Sequence, residues 1–333
     1  MRTAPAFWAR PPGLLSELLL PVGAGWEAAG RLRQAFARPY CPPVPVVCVG
    51  NLVAGGAGKT PVTLALAAHL VSCGIAVHIV TRGYGGRLGG PVRVDAALHD
   101  AAAVGDEALL LANRAPCWVA RDRADGVRAA VAAGAHIVVL DDGFQNPGIG
   151  KNLSLVVVDA VYGFGNRRVI PAGPLRESLA RGLARADAVV LLGAETPARG
   201  PGTLGIEPAL PVLRASLRPI AGERFAGACV LAFAGIGRPE KFFATLRALG
   251  AELVATRPFP DHHRYRVTEI DQLLRAAERS QARLVTTAKD IVRVPAAKRA
   301  AIEVLEVEIH WADSAAVLDL LRAVVGARRT DGN

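Results

Sequence analysis

No apolar run in this chain reaches the roughly 18 residues that a membrane-spanning helix requires, so no bilayer crossing is expected. The N-terminus lacks a short apolar core followed by a small-residue cleavage site, and no signal peptide is expected. Cysteines are few and scattered: Cys41, Cys48, Cys73, Cys117 and Cys229 form no Cys-x-x-Cys pair. That spacing argues against a disulfide framework or a thiolate zinc site and fits a reducing compartment. Aromatic residues make up only 5% of the chain. No basic-aromatic platform is visible, so no nucleic-acid partner is expected. Lysine is absent before Lys59. Internal repeats and low-complexity tracts are missing as well.

What is present is a long, apolar, basic chain. Its 333 residues are 51% hydrophobic, enough for two domains around large cores. The formal net charge of +10, mostly arginine, suits anionic lipid or phosphorylated substrates. Near the N-terminus, Leu14, Leu15, Leu18, Leu19 and Leu20, then Trp26 and Phe36, are interleaved with Arg31, Arg33 and Arg38. That pattern suits a helix lying in a membrane interface; the alternative is a helix docked on the core and interrupted by Pro21.

Strand-like and helix-like stretches alternate over most of the length. Strands are predicted near 44–49, 75–81, 117–120, 136–140, 153–158 and 187–192. Helices are predicted near 59–72, 105–113, 123–133 and 176–184. The alternation implies an α/β fold, a doubly wound and mostly parallel sheet. A Pro/Gly-rich stretch, 197–211, breaks the rhythm. A second series then begins: strands at 229–234, 253–256, 283–286 and 304–309, helices at 239–249, 268–279 and 314–325. The expected organisation is an N-terminal amphipathic segment (1–38), a phosphate-loop domain (39–209), a linker (210–219) and a second, smaller α/β domain (220–333).

The phosphate loop is Gly50-Asn51-Leu52-Val53-Ala54-Gly55-Gly56-Ala57-Gly58-Lys59-Thr60-Pro61. It follows an apolar run and opens a helical stretch, the context in which such a loop has a mechanism. Its glycines let backbone N–H groups approach phosphate oxygens, helped by the helix N-terminus. Residues 53–60 are thus expected to bind nucleotide, with Lys59 on the β/γ-phosphates and the Thr60 hydroxyl on Mg²⁺. The usual first glycine of the pattern is replaced by Val53.

Other strand ends carry chemistry too. The run 136–140 ends in Asp141-Asp142-Gly143-Phe144-Gln145, and carboxylates beyond a strand's carboxyl end suit Mg²⁺. Arg82-Gly83-Tyr84-Gly85-Gly86-Arg87 can grip an anion or be a turn. Asp106, after Gly105, is either a helix N-cap or a carboxylate placed to take a hydroxyl proton. Pro171-Ala172-Gly173-Pro174-Leu175-Arg176-Glu177 is a stiff loop or a helix start. In Asp261-His262-His263, adjacent side chains on an extended segment point to opposite faces, so an acid/base role is favoured over a metal pair. Thr286-Thr287-Ala288-Lys289-Asp290 is not the Asn-Lys-x-Asp that reads guanine.

These motifs, in this order from Val44 to Asp290, together with Ala234-Gly235-Ile236-Gly237-Arg238-Pro239, resemble the tetraacyldisaccharide 4′-kinase family. Arg238 stands where the family commonly has Asn, and Ala57 where it has Thr or Ser. The resemblance implies a P-loop domain facing a smaller α/β domain. It implies ATP-dependent phosphorylation of the 4′-hydroxyl of a tetraacylated glucosamine disaccharide 1-phosphate to lipid IV-A. It also implies a peripheral position among anionic lipids on the cytoplasmic face of the inner membrane; no obligate protein partner is evident. By motif, Lys59 and Thr60 serve the phosphates and Mg²⁺, and Asp141, Asp142 and Glu177 surround the metal. Asp106 is the base, supported by His262 rather than His263, and Arg82, Gln145 and Arg176 are candidates for substrate or nucleotide. A rival reading is an ATP-driven switch of the partitioning type, whose usual extra lysine at the loop start is absent here: position 54 is Ala.

Overall fold

The computed structural model describes residues 4–193 and 200–326; positions 197–199 of the Pro/Gly-rich stretch lie outside them. Two N-terminal helices, α1 (Leu14–Leu18) and α2 (Leu20–Ala35), come first. Pro21 sits in the first turn of α2, where no N–H donor is needed, so it starts a helix there. β1 (Val46–Gly50) follows, with every residue buried. A continuous β-branched run of this kind suits a strand covered on both faces.

After β1 the chain alternates through α3 (Lys59–Ser72), β2 (Val77–Thr81), β3 (Val92–Arg93), α4 (Ala101–Val104), α5 (Asp106–Ala112), β4 (Cys117–Val119) and α6 (Arg123–Ala132). It continues with β5 (Ile137–Asp141), β6 (Leu153–Asp159), α7 (Leu179–Leu183), β7 (Ala188–Leu192) and β8 (Val212–Pro219). The smaller part holds β9 (Cys229–Ala234), α8 (Pro239–Ala248), β10 (Glu252–Pro258), α9 (Val267–Arg279), β11 (Arg283–Thr287), α10 (Ala288–Ile291) and β12 (Glu303–Leu305). The last described elements are β13 (Val307–Trp311) and α11 (Ser314–Gly326).

Among the described residues these strands form a nine-stranded sheet, β13-β8-β7-β6-β1-β5-β2-β4-β3, and a four-stranded sheet, β10-β9-β11-β12. The large sheet is parallel except where β13 meets β8 and β3 meets β4. The small one is parallel throughout. One face of the large sheet packs Val47, Val49 and Val139 against Val62, Leu66 and Leu70 of α3. The other packs Val46, Cys48 and Leu140 with Val127 and Phe144. β1 lies between β5 and β6. The chain winds outward in both directions from there, so the loop after β1 opens at the switch point where such sheets bind ligands.

Two boundary expectations are corrected. The expected linker, 210–219, contains strand β8, paired with β7 and β13. Its alternation of buried Leu213 and Ala215 with outward Arg214 lies between Pro211 and Pro219, which read as linker composition. The single strand expected at 304–309 is two strands broken at Glu306: β12 completes the small sheet, while β13 returns to the large one. Val317, Leu321 and Val324 of α11 then enter the large sheet's core. The small unit therefore ends near 305 instead of 333. The two chain crossings run side by side, with the Ile220 N–H donating to the Glu306 carbonyl at 2.9 Å.

Candidate active site

The phosphate loop turns between β1 and α3 through Gly58, whose φ is +85°. A Cβ there would meet only the terminal methyl of Leu192, at 2.3 Å, which a rotamer change can move, so it is the left-handed conformation that demands glycine. Gly55 and Gly56 are exposed and face open space. Val53 and Ala54 are not free in the same way. Val53 is buried and bridges Leu175, and the Ala54 N–H donates to the Pro174 carbonyl at 2.7 Å. This end of the loop is tied to the 171–177 loop, so Val53 and Ala54 are held by the protein's own backbone while Gly55 and Gly56 stay open. Ala57 packs its methyl into the core.

Asp141 ends β5, fully buried, and accepts from Thr63 Oγ1 at 2.9 Å. Burial, then the charge of Glu107, pushes its carboxyl up to about 7 despite Lys59. Asp142 adopts φ +52°, a left-handed turn that presents its carboxylate to Lys59 Nζ at 3.6 Å and Arg176 Nη1 at 3.0 Å. Burial raises its pKa, but Lys59 and Arg176 outweigh burial and hold it below the usual range. Gln145 links the parts: its Oε1 accepts from Arg176 at 3.1 Å and its Nε2 donates to the Asn51 carbonyl at 2.8 Å.

Glu177 is drawn elsewhere. Its Oε1 pairs with Arg185 Nη2 at 2.5 Å, and its buried Oε2 has no hydrogen-bond partner. Among the described residues no three His, Cys, Asp or Glu side chains are gathered to hold a metal. The expected set of Asp141, Asp142 and Glu177 is therefore not assembled, because Arg185 claims the glutamate. Thr60, Asp141 and Asp142 still fit magnesium. They are hard oxygen donors beside a phosphate loop, and Mg²⁺ usually takes one or two carboxylates plus phosphates.

Asp106 opens α5 behind Gly105, whose φ is +90° and whose Cβ would strike the Tyr84 carbonyl at 2.5 Å. The cap of α5 is Gly105, so Asp106 is not an N-cap. Its Oδ2 faces His262 Nδ1 at 2.8 Å and Arg293 Nε at 3.6 Å. Burial favours a neutral Asp106, but His262, Arg293 and Lys289 together hold its pKa below the usual carboxylate value. The same hydrogen bond raises the pKa of His262 against burial. His263 points away, to Glu269 at 3.2 Å and against the Phe259 ring. His262 and Arg293 both come from the small-sheet part, so the site is closed across two units.

A family model described as tetraacyldisaccharide-1-P 4′-kinase matches residues 15–326. A tetraacyldisaccharide 4′-kinase of Rhodospirillum centenum is 56% identical over 99% of this chain and 98% of its own. That of Paramagnetospirillum magneticum is 52% identical over 98% and 99%. The chain belongs to the tetraacyldisaccharide-1-P 4′-kinase family. It is a kinase. A crystal structure of LpxK from Aquifex aeolicus in complex with ATP has the same fold, with TM-score 0.76 at 24% identity over 94% of this chain and 100% of that one.

Three cations of the kinase site escaped the sequence reading. Arg185 and Arg293 sit in no motif and reach the site only through the fold. Arg123, at the start of α6, is buried with an unpartnered Nε, and its pKa is lowered by burial and then by the nearby charge of Arg82. Arg82 itself is exposed. Arg176 and Gln145, expected to meet substrate or nucleotide, are engaged with Asp142 and Asn51.

The N-terminal helices dock on the same end of the kinase through small and polar groups. Ser16 Oγ donates to the Ala172 carbonyl at 2.8 Å, Trp26 Nε1 to that of Arg176 at 3.1 Å, and Arg33 Nη2 to that of Gln145 at 3.0 Å. Their apolar side chains stay outside: Leu14 is 79% exposed, Leu18 67% and Phe36 82%. Among the described residues no helix is long and apolar enough to cross a membrane.

Proposed function

We propose that this kinase transfers the γ-phosphoryl group of ATP to the 4′-hydroxyl of a tetraacylated, 1-phosphorylated glucosamine disaccharide, forming lipid IV-A. The observation that carries the reading is the 2.8 Å contact between Asp106 and His262, at the end of the sheet where the phosphate loop opens. Phosphoryl transfer needs little covalent chemistry from the protein; it needs positioning and charge. Residues 55–60 cradle the phosphates, and Lys59 balances their charge. Thr60, Asp141 and Asp142 are the residues that would hold magnesium, which neutralises phosphate oxygens when bound. The bond from O4′ to phosphorus forms as the bond to the leaving oxygen of ADP breaks. The hydroxyl proton passes to Asp106, and His262 holds that carboxylate in place. Arg82, exposed beside Arg123, is suited to an anionic group of the substrate.

The substrate is a lipid, and the exposed leucines of α1 and α2 stand over the catalytic loops. This supports a peripheral seat on anionic lipid of the inner membrane's cytoplasmic face, with apolar side chains in the interface and arginines on head groups. The test is transfer of labelled phosphate from ATP to the lipid disaccharide. Label on the lipid, dependent on Mg²⁺, is the expected result. ATP hydrolysis with no lipid labelling would overturn the proposal in favour of a nucleotide switch.

A further inference from the structure

The Thr286-Thr287-Ala288-Lys289-Asp290 segment has no part in the mechanism above, yet it faces the catalytic turn. Thr287 caps α10, its Oγ1 accepting the Asp290 N–H at 3.2 Å. Val292, just beyond α10, enters the large sheet's core with Ile291 packed against it. Two cations of the small-sheet part reach the first turn of α5 from here. Arg293 lies 3.6 Å from Asp106, but it is shared: Nη2 donates to Asp290 at 2.9 Å and Nη1 to the Gly235 carbonyl at 3.0 Å. Lys289 Nζ meets Glu107 Oε1 at 2.7 Å.

Glu107 occupies a demanding place. Burial favours its neutral form, and Lys289 first, then Lys59, hold its pKa below the usual value. Its charge in turn bears on Asp141. Without Lys289, this half-buried carboxylate would lose the one cation that the structure places in contact with it. The next cation acting on it is Lys59, the one that the phosphates need. The charged groups facing this turn are His262, Arg293 and Lys289 from the small-sheet part, Lys59 from α3 and Asp141 from β5.

We propose that Lys289 is a positioning residue for phosphoryl transfer: by pinning Glu107 across the cleft it fixes the first turn of α5, keeps Asp106 aligned with His262, and leaves Lys59 to the phosphates. The inference rests on the reading of Asp106 as proton acceptor. It makes the catalytic turn complete only while the small sheet is seated on the large one.

The experiment compares Lys289→Met, Lys289→Arg, Asp106→Asn and the Asp106→Asn/Lys289→Met pair in the full chain, with ATP and detergent-dispersed lipid disaccharide. Lys289→Met is expected to lower kcat about 10- to 100-fold, the scale of a small misplacement of catalytic groups. It should change the circular dichroism little and move the acid limb of the kcat profile to higher pH, because a cation that favours ionised Asp106 is gone. Lys289→Arg should recover most of the loss. In the Asp106→Asn background, Lys289→Met should cost little more, since both act through one group. If Lys289→Met melts early, Glu107→Gln tests the same contact from the other side and should lower kcat with the fold intact. Unchanged kcat in Lys289→Met or in folded Glu107→Gln would overturn the inference, as would a loss that persists in full in the Asp106→Asn background. An inactive Asp106→Asn beside an unimpaired Lys289→Met sinks this inference alone. Normal turnover by Asp106→Asn sinks the base reading and this inference with it.

Discussion

The charge of Asp106 is balanced from the opposite side of the cleft, and its protonation is therefore tied to a partner with an opposite shift. His262 binds its proton more tightly in the folded chain than in the unfolded one. Its contribution to stability is full below the ordinary histidine range and fades as pH rises through its raised pKa. Asp106 runs the other way: its contribution is present above the ordinary carboxylate range and fades as pH falls through its lowered pKa. The pair thus stabilises most from mildly acid to near-neutral pH. His262→Gln should lower the melting temperature clearly at pH 6 and hardly at pH 9; an equal gap at both would show that the contact is not ionic. Asp106→Asn should keep the fold and cut kcat by about 10²–10⁴, the usual share of general-base help. Lys59→Ala should reduce turnover by at least about 10²-fold, since a preorganised charge on the transferring phosphate is lost. Near-normal phosphorylation of the lipid by that variant would refute the assignment of the loop.

At the scale of elements, legibility follows burial. β1, β5 and β9 are continuous apolar runs buried on nearly all sides, so their positions can be read from composition. The phosphate loop is legible because Gly58 and Lys59 are needed locally. β8 is not, because its outward arginines and flanking prolines hide a strand that is half exposed. The pairing of Glu177 with Arg185, eight residues on, is hidden for a different reason. It depends on how α7 folds back beside Phe144, where Arg185 also stacks at 4.6 Å from the ring. The N-terminal helices show both sides. Their leucine cluster is readable, but the docking runs through Ser16 and Gly23, which no apolar count picks out, and through the polar N–H of Trp26 rather than its apolar ring. Because Leu14 and Leu18 are exposed, Leu14→Glu with Leu18→Glu should leave the melting temperature within a few degrees. The pair should release the kinase from anionic vesicles and hurt activity on vesicle-borne lipid more than on detergent-dispersed lipid. Equal loss in both formats with early melting would place these leucines in the packing instead.

Over the whole molecule, the two units are joined at one edge by paired crossings and held at the cleft by ion pairs. One contact lies at the first turn of α5, where it meets α10 and His262. The other lies at Asp159, which ends β6 and pairs in register with Leu192, the residue that packs on Gly58. Asp159 Oδ1 accepts the N–H groups of Val161 and Tyr162 at 2.9 Å each. Its Oδ2 takes Arg238 at 2.6 Å and Lys241 at 3.2 Å, both from the small-sheet part. The carboxylate is mostly buried and the cations are half exposed, so either cation alone is worth little, about 0–1 kcal/mol. Lys241→Ala should therefore change neither stability nor kinetics measurably, because Arg238 remains. Asp159→Asn removes the charge that both cations share and leaves them facing each other. It should raise the KM for ATP several-fold, since a looser cleft binds nucleotide at the cost of closing first, while kcat falls less. Salt distinguishes this from local damage to the turn. Screening weakens exposed pairs, so the parent's KM for ATP should rise more steeply from low to high ionic strength than that of Asp159→Asn, which keeps only the salt dependence of ATP binding itself. A KM that responds to salt equally in both proteins would mean that Asp159 serves the turn after β6 and plays no part in closing the cleft.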